Sequence, residues 1–311
     1  MKLIRGLHNL RAMAGGCVAT IGNFDGVHLG HQSVLGQVAD RAAALNLPTV
    51  VVIFEPQPRE FFSPDDAPAR LTPLREKLQA LRRFSVDRVL CIPFTSRFAA
   101  MSAQQFIARV LLEGLAVRYL VVGDDFRFGS RRQGDYAMLE AAGGQHGFQV
   151  ARMHTFHVDG ARVSSTGVRE ALAAGDLSRA EKFLGRPYRM AGRVVHGDAR
   201  GRLLGFPTAN VHLHRKRVPL RGVFAVDVFG LDQAPLPAVV NLGTRPTVDG
   251  IKTLLEVHLL DFAQNIYGRH LQVDFLYKLR DEQRFAGLDA LTAQITRDVA
   301  AARDYFAALR R

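Results

Sequence analysis

The stretch Ile21-Gly22-Asn23-Phe24-Asp25-Gly26-Val27-His28-Leu29-Gly30-His31 constrains this chain more than any other, because it sets two imidazoles three residues apart just past a short apolar run, residues 17–21. Residues 32–45, which follow, read as a helix with apolar positions Val34, Leu35, Val38 and Ala42. The histidines therefore stand near a helix N-terminus, where backbone N–H groups point at whatever binds and the helix dipole favours anions. A phosphate chain fits between imidazoles and amides, and Gly26 and Gly30 let it approach closely. The same i, i+3 spacing also suits a metal pair or a turn satisfied by its own hydrogen bonds. Two histidines do not close a metal site, and Cys17 and Cys91 stand far apart with no C-x-x-C spacing, so structural zinc is not expected.

A chain of 311 residues that is 48% hydrophobic can bury ample core, and its length suggests two domains. No apolar segment is long enough for a secretion signal or a membrane span, since Arg11 interrupts even the N-terminal candidate, and two cysteines suit a reducing interior. Cytoplasm is the expected location. The balance of 41 Lys+Arg against 29 Asp+Glu, net +12, suits anionic partners, whether nucleotides or nucleic acid. Local basic knots at Arg82-Arg83, Arg131-Arg132 and His214-Arg215-Lys216-Arg217 read equally as solvated surface, and there is no long basic arm.

As far as about residue 184 the chain alternates short β-branched runs with amphipathic stretches, the pattern of an α/β domain. Strands are expected at 49–54, 88–92 and 119–123, and helices at 74–84, 103–112 and 135–146. Val50-Val51-Val52-Ile53 has the continuous apolar character of a buried parallel strand. The proline-rich segment 56–73 reads as a long loop. After Leu184-Gly185-Arg186-Pro187 the pattern changes to strands punctuated by glycine and proline, at 188–195, 222–229, 238–242, 253–260 and 270–277, with spacings suited to a small barrel. The chain then ends in a helix on which Leu288, Leu291, Ile295, Val299, Phe306 and Leu309 approximate one apolar face, expected to cover the barrel.

Three further clusters carry chemistry. Val122-Gly123-Asp124-Asp125-Phe126-Arg127-Phe128-Gly129-Ser130-Arg131-Arg132-Gln133-Gly134 begins where the 119–123 strand ends, and ligands of open α/β sheets bind at such carboxyl ends. Its aromatics among glycines and arginines suit a planar ring and a phosphate, and they also make an ordinary charged loop. Arg162-Val163-Ser164-Ser165-Thr166-Gly167-Val168-Arg169 puts hydroxyls ahead of a helix, which alone is a cap. On the 253–260 strand, Leu255, Val257 and Leu259 share one face while Glu256 and His258 share the other, so a carboxylate is aimed away from the apolar row.

Together, the His-x-Gly-His and S-S-T-x-x-R segments resemble those of the nucleotidyltransferase superfamily. Over nearly the whole chain the order of motifs is similar to that of the prokaryotic bifunctional riboflavin kinase/FAD synthetases: G-N-F-D-G-V-H-L-G-H at 22–31, F-E-P-x-P-R-E-F-F at 54–62, G-D-D-F-R-F-G at 123–129 and V-S-S-T-G-V-R at 163–169. G-R-L-L-G-F-P-T-A-N at 201–210, N-L-G-T-R-P-T at 241–247 and L-E-V-H-L-L-D-F at 255–262 continue it. The resemblance implies an α/β Rossmann-like nucleotidyltransferase domain, residues 1–185, followed by a small Greek-key β-barrel domain with a C-terminal helix, residues 186–311.

The implied activities are phosphorylation of riboflavin to FMN by the second domain and adenylyl transfer from ATP to FMN, giving FAD and pyrophosphate, by the first. In the first, His28, His31 and Arg169 are implied as catalytic. Gly22, Phe24, Asp25, Gly30, Asp125, Phe126, Phe128, Arg162, Ser165 and Thr166 are implied to hold nucleotide and flavin. The substrate phosphate is its own nucleophile, so the protein's task is alignment and charge stabilisation. In the second, Gly205, Phe206, Pro207 and Asn210 are implied to take the place of a Walker A loop, Thr208 and Asn210 to ligate Mg²⁺ beside ATP, and Glu256 to be the base that takes the proton of the riboflavin 5′-hydroxyl.

Gln57 stands where a histidine is common in F-E-P-x-P, and Phe224 where tyrosine is usual. The expected partners are the small molecules ATP, riboflavin and FMN, with no nucleic acid and no membrane. The competing expectations are a chain with one active half, a flavin sensor without turnover, and a nucleic-acid binder, since HxGH also occurs in aminoacyl-tRNA synthetases; the last lacks a K-M-S-K-S segment.

Overall fold

Val50, Val51, Val52 and Ile53 are all fully buried, as a parallel strand covered on both faces must be. A computed structural model describes residues 1–10, 13, 15–196, 205–213, 215, 217–247 and 250–309 of the chain. Arg11, His214, Lys216 and the 201–204 part of the glycine-rich motif lie outside the described residues. By compactness the chain forms two units: Met1–Pro68 with Leu74–Ser164, and Ala69–Pro73 with Ser165–Arg311.

The first unit is built on β1 (Lys2–Arg5), β2 (Cys17–Ile21), β3 (Thr49–Glu55), β4 (Arg88–Pro93), β5 (Val117–Gly123) and β6 (Gln149–Met153). All pair in parallel, in the order β1-β4-β3-β2-β5-β6. Alternation splits each central strand between two cores. Val50, Val52, Leu90, Ile92, Leu120 and Val122 pack with Phe106, Val110 and Leu139 on one face. Val51, Ile53, Val89 and Cys91 pack with Phe24, Val27, Leu35 and Leu81 on the other, and Val18 and Val121 with Val38 and Ala42. The helices covering these faces are α1 (Leu29–Leu45), α3 (Leu74–Leu81), α5 (Ala103–Phe106) and α6 (Tyr136–His146), with short α2 (Pro58–Phe62) and α4 (Ser96–Ala99) between strands.

Some local expectations change. The 56–73 loop contains α2, because Pro58 opens that helix, where its missing N–H costs nothing. The 103–112 helix is α5 followed by a wider π-helix, Ile107–Gly114. The helix expected from 32 begins at Leu29, capped by His28. A two-stranded hairpin, β7 (His157–Val158) with β8 (Ala161–Arg162), closes the unit.

The second unit opens with α7 (Ser165–Ala174) and α8 (Leu177–Leu184), followed by β9 (Tyr188–Val195), β10 (Ala209–His212), β11 (Gly222–Phe229), β12 (Leu236–Thr247), β13 (Gly250–Leu259) and β14 (His270–Arg280). These strands close antiparallel in the order β10-β13-β12-β11-β14-β9. In it β11, β12 and β13 form a meander and β14 returns beside β11, which is the Greek-key order. Phe224 and Phe275 meet edge to face at 5.3 Å and are fully buried. Val223, Ala225 and Val239, on the opposite face, meet Val299, Ala302, Tyr305 and Phe306 of α9 (Leu288–Leu309), so the helix does cover the barrel. Leu288 and Leu309, expected on that face, are 67% and 61% exposed: at the helix ends the stripe runs past the surface it covers. The strand β10, four residues long and starting two residues after Pro207, is too short to show a period.

Candidate functional site

In the first unit the chain winds outward from β2 through β3 and β4, then jumps to β5 and β6 on the other side. The order reverses between β2 and β5, and open α/β sheets bind ligands in the crevice at such a point. Both loops flanking it carry expected site residues.

After β2, the loop is held tight. A Cβ on Gly22 would approach the Phe24 ring to 3.2 Å. Phe24 (φ 48°) and Val27 (φ 46°) occupy the left-handed region, an uncommon conformation for such side chains. Phe24, Asp25, Val27 and His28 are buried. His28 caps α1: its Nδ1 accepts from the His31 N–H at 3.3 Å, which leaves the proton of a neutral His28 on Nε2. The two imidazoles stack at 3.6 Å and 18°, and Phe24 lies 4.9 Å from His31. Burial, then the neighbouring His28, then the charge of Lys77 hold the His31 imidazole well below its ordinary 6.5. The His31 ring is therefore an uncharged hydrogen-bonding group at the N-terminus of α1. A Cβ on Gly30 would stand 3.2 Å from the His28 ring and 3.6 Å from Phe156, so a larger residue would crowd the cap.

Beyond β5, Asp124 accepts from Thr155 at 2.8 Å and Asp125 pairs with Arg162 at 3.2 Å. The latter pair is exposed and worth about 0–1 kcal/mol, so Arg162 can leave it for a phosphate at little cost. Phe126 stacks on Phe128 at 5.7 Å, but Phe128 is buried against Phe106 and belongs to the core; it supports the loop from below, and Phe126 is the more open ring. Ser165 and Thr166 open α7, and Arg169 Nε donates to the Ala69 carbonyl at 2.7 Å; these three belong to the second unit.

In the barrel, strand register assembles a second site. Asn210 of β10, Glu256 of β13 and Asn241 of β12 lie directly opposite one another across three adjacent strands. Asn241 Nδ2 donates to Glu256 Oε2 at 3.3 Å. Leu255, Val257 and Leu259 are buried and Glu256 and His258 half-buried, which is the expected two-faced strand. Gly205 (φ 81°) needs its glycine for the backbone alone, since a Cβ there would meet nothing. His258 Nδ1 donates to the Pro207 carbonyl at 2.9 Å and meets the Phe206 ring edge-on at 5.6 Å, which docks the Gly205–Asn210 stretch, residues 205–210, on β13.

Two cavities adjoin this row. One, of about 390 Å³, is lined by Thr208, Asn210, Val257, Phe262 and Tyr267 among others. The other, of about 360 Å³, is lined by Phe206, Thr208, Asn241, Glu256, Arg280 and Asp298 among others. Thr208 is common to both. Arg280 and Asp298 form a two-pronged ion pair, 2.8–3.1 Å, between β14 and α9, and Gln294 adds a bond to the same carboxylate at 2.8 Å. A hydroxyl and a carboxamide oxygen on one cavity wall, Thr208 and Asn210, are hard donors that fit Mg²⁺ when ATP completes its shell. Among the described residues no group of three or more His, Cys, Asp and Glu could hold a metal ion.

Arg280, Asp298 and the fully buried Lys77 are not among the expected site residues, and Asn241 is expected only as part of a motif, without a role. Two of them leave a signal in the sequence: Lys77 falls on the apolar stripe of α3 and Asp298 on that of α9, positions where a charge is unexpected.

Residues 10–167 match the family model for FAD synthetase and residues 184–306 the one for riboflavin kinase. The chain is 56% identical over 307 residues to the bifunctional riboflavin kinase/FMN adenylyltransferase of Escherichia coli K12, covering 98% of both. It is 57% identical to the one of Pseudomonas fluorescens, covering 97% of both, and 50% identical to that of Haemophilus influenzae, covering 98% and 99%. A solved structure from Streptococcus pneumoniae, described as a macrolide-efflux protein, superposes with a TM-score of 0.83 at 30% identity over 97% of this chain and 99% of that one. Among the described residues no helix is long and apolar enough to cross a membrane.

Proposed function

This chain belongs to the family of bifunctional riboflavin kinase/FMN adenylyltransferases, and from that premise we propose how its residues share the two reactions. It phosphorylates riboflavin to FMN with ATP and adenylylates FMN with a second ATP, giving FAD and pyrophosphate. Residues 186–311 carry the first reaction and residues 1–185 the second.

For the kinase, the observation that supports the assignment best is the row Asn210–Glu256–Asn241 with Thr208 on the wall common to two cavities. The cavity holding Glu256 takes the flavin and the one holding Asn210 takes ATP. Glu256, oriented by Asn241, removes the proton of the 5′-hydroxyl as its oxygen attacks the γ-phosphorus and ADP leaves. Thr208 and Asn210 would hold Mg²⁺, which neutralises phosphate charge when bound. Gly205, Phe206 and Pro207 place those two donors.

For adenylyl transfer, an oxygen of the FMN phosphate attacks the α-phosphorus of ATP and pyrophosphate departs, so no enzyme nucleophile is needed. His28 and His31 donate to the phosphates from the N-terminus of α1, within a loop shaped by Gly22, Phe24, Asp25 and Gly30. Arg162, Ser165, Thr166 and Arg169 are assigned to the phosphates, and Asp125 and Phe126 to the flavin or adenosine, with Phe128 bracing Phe126. The proposed setting is the cytoplasm, where thiols such as those of Cys17 and Cys91 stay reduced, and the proposed partners are small molecules alone.

The test incubates purified protein with riboflavin, ATP and Mg²⁺ and separates the flavins by chromatography, beside a reaction started from FMN. Passage of riboflavin through FMN to FAD is expected. FMN alone, FAD from supplied FMN alone, or no turnover would leave respectively a kinase, an adenylyltransferase or a flavin-binding protein.

A further inference from the structure

We propose that Lys77 is a positioning residue for adenylyl transfer, supplying a fixed positive charge behind the HxGH loop and acting on the phosphates through His31. Lys77 occupies the stripe Leu74, Lys77, Leu78, Leu81 of α3, spaced i, i+3, i+4, i+7, and it is 0% exposed. That stripe faces the loop: Leu81 is buried in one cluster with Phe24, Val27 and Leu35, and Leu74, Leu78 and Val34 pack against it. Phe24 and Val27 belong to the loop, and Val34 and Leu35 to the first two turns of α1. A methionine or leucine would complete the stripe without the cost of burying an ammonium. A charge kept at that cost, beside the imidazoles of a proposed phosphate site, points to a task.

The task follows from what a polyanion does to a histidine. Among the described residues the charges that bear on His31 are those of His28 on its own loop and Lys77 on α3, and the contacting ring of Phe24 is neutral. An arriving triphosphate favours the imidazolium, which would draw a proton onto a buried ring stacked at 3.6 Å on its neighbour. The Lys77 charge opposes that proton while itself attracting the phosphates. His31 Nδ1, buried and with no hydrogen-bond partner among the described residues, is then left as an uncharged ring for the phosphates to orient.

The inference rests on the adenylyl-transfer assignment, and riboflavin phosphorylation by the same polypeptide is the internal control. Lys77→Met is expected to lower kcat/KM for FMN adenylylation about ten- to a hundredfold, the scale typical of a group supporting a ligating imidazole from behind. Phosphorylation of riboflavin should stay within about twofold. The acid limb of the adenylylation pH profile should move to higher pH, as should the NMR titration of the His31 ring. Lys77→Arg, which keeps the charge, should retain more adenylyl transfer than Lys77→Gln. Unchanged adenylylation in Lys77→Met, an unmoved pH profile, or parity of Lys77→Arg and Lys77→Gln would each overturn the proposal. Wild-type protein that makes no FAD from FMN would instead overturn the assignment beneath it.

Discussion

In the parallel-sheet unit the two site imidazoles come from one loop, residues 22–31, whose shape is fixed by left-handed backbone at Phe24 and Val27 and by the His28 cap. In the barrel the site residues Asn210, Glu256 and Asn241 come from three strands and meet only because register sets them opposite one another. A loop places its groups by local conformation and tolerates change elsewhere. A row across strands places them by pairing, so a one-residue slip of any one strand would turn its member to the other face. The two sites should therefore fail separately and for different reasons.

The largest expected break is Glu256→Ala, which should lower riboflavin phosphorylation by about 10²–10⁴-fold, the contribution of a general base, while adenylylation of supplied FMN continues. Equal loss of both would dissolve the division of labour. Next, His28→Ala should lower adenylylation by about 10²–10³-fold, with phosphorylation kept. His28→Asn sharpens this, because an Asn oxygen can still cap α1; recovery of thermal stability without recovery of rate separates the cap from the chemistry. Asn241→Leu, which removes the bond orienting Glu256, should cost roughly tenfold in kcat for phosphorylation.

The smallest effect concerns pH. The folded-state value of His31 lies below its unfolded value of 6.5, so an unfolded chain binds a proton there that the folded chain refuses. The resulting stability is complete above 6.5 and is lost as pH falls from 6.5 through the depressed folded value. The midpoint of thermal unfolding should thus come at lower temperature at about pH 5.5 than at about pH 7.5, and His31→Gln should flatten that difference.

What could be read from the sequence divides along the same line. The HxGH loop was legible because its residues are consecutive and its glycines, cap and following helix all signal locally. Glu256 was legible from the alternation around it, but Asn241 was not, because its partner is fifteen residues away and only pairing reveals it. Lys77 and Asp298 escaped because a periodic reading counts the apolar positions of α3 and α9 and passes over the charges among them. Helix α2 was hidden by the same proline that starts it, and the π-helix after α5 has no signature in residue type.

The segment Ala69–Pro73 carries a consequence for anyone who would cut this protein in two. The chain leaves the first compact unit at Pro68, spends five residues in the second, returns at Leu74, and crosses again after Ser164. Within the second unit, Tyr188 Oη donates to the Leu71 carbonyl at 3.0 Å, Arg215 donates to the carbonyls of Arg70 and Leu71 at 3.1 Å, and Leu71 is fully buried. No single scission sorts every residue with its neighbours, so a shortened kinase fragment begins life with a hole where Leu71 belongs. A designer of separate halves would have to relocate that five-residue strap or fill its seat.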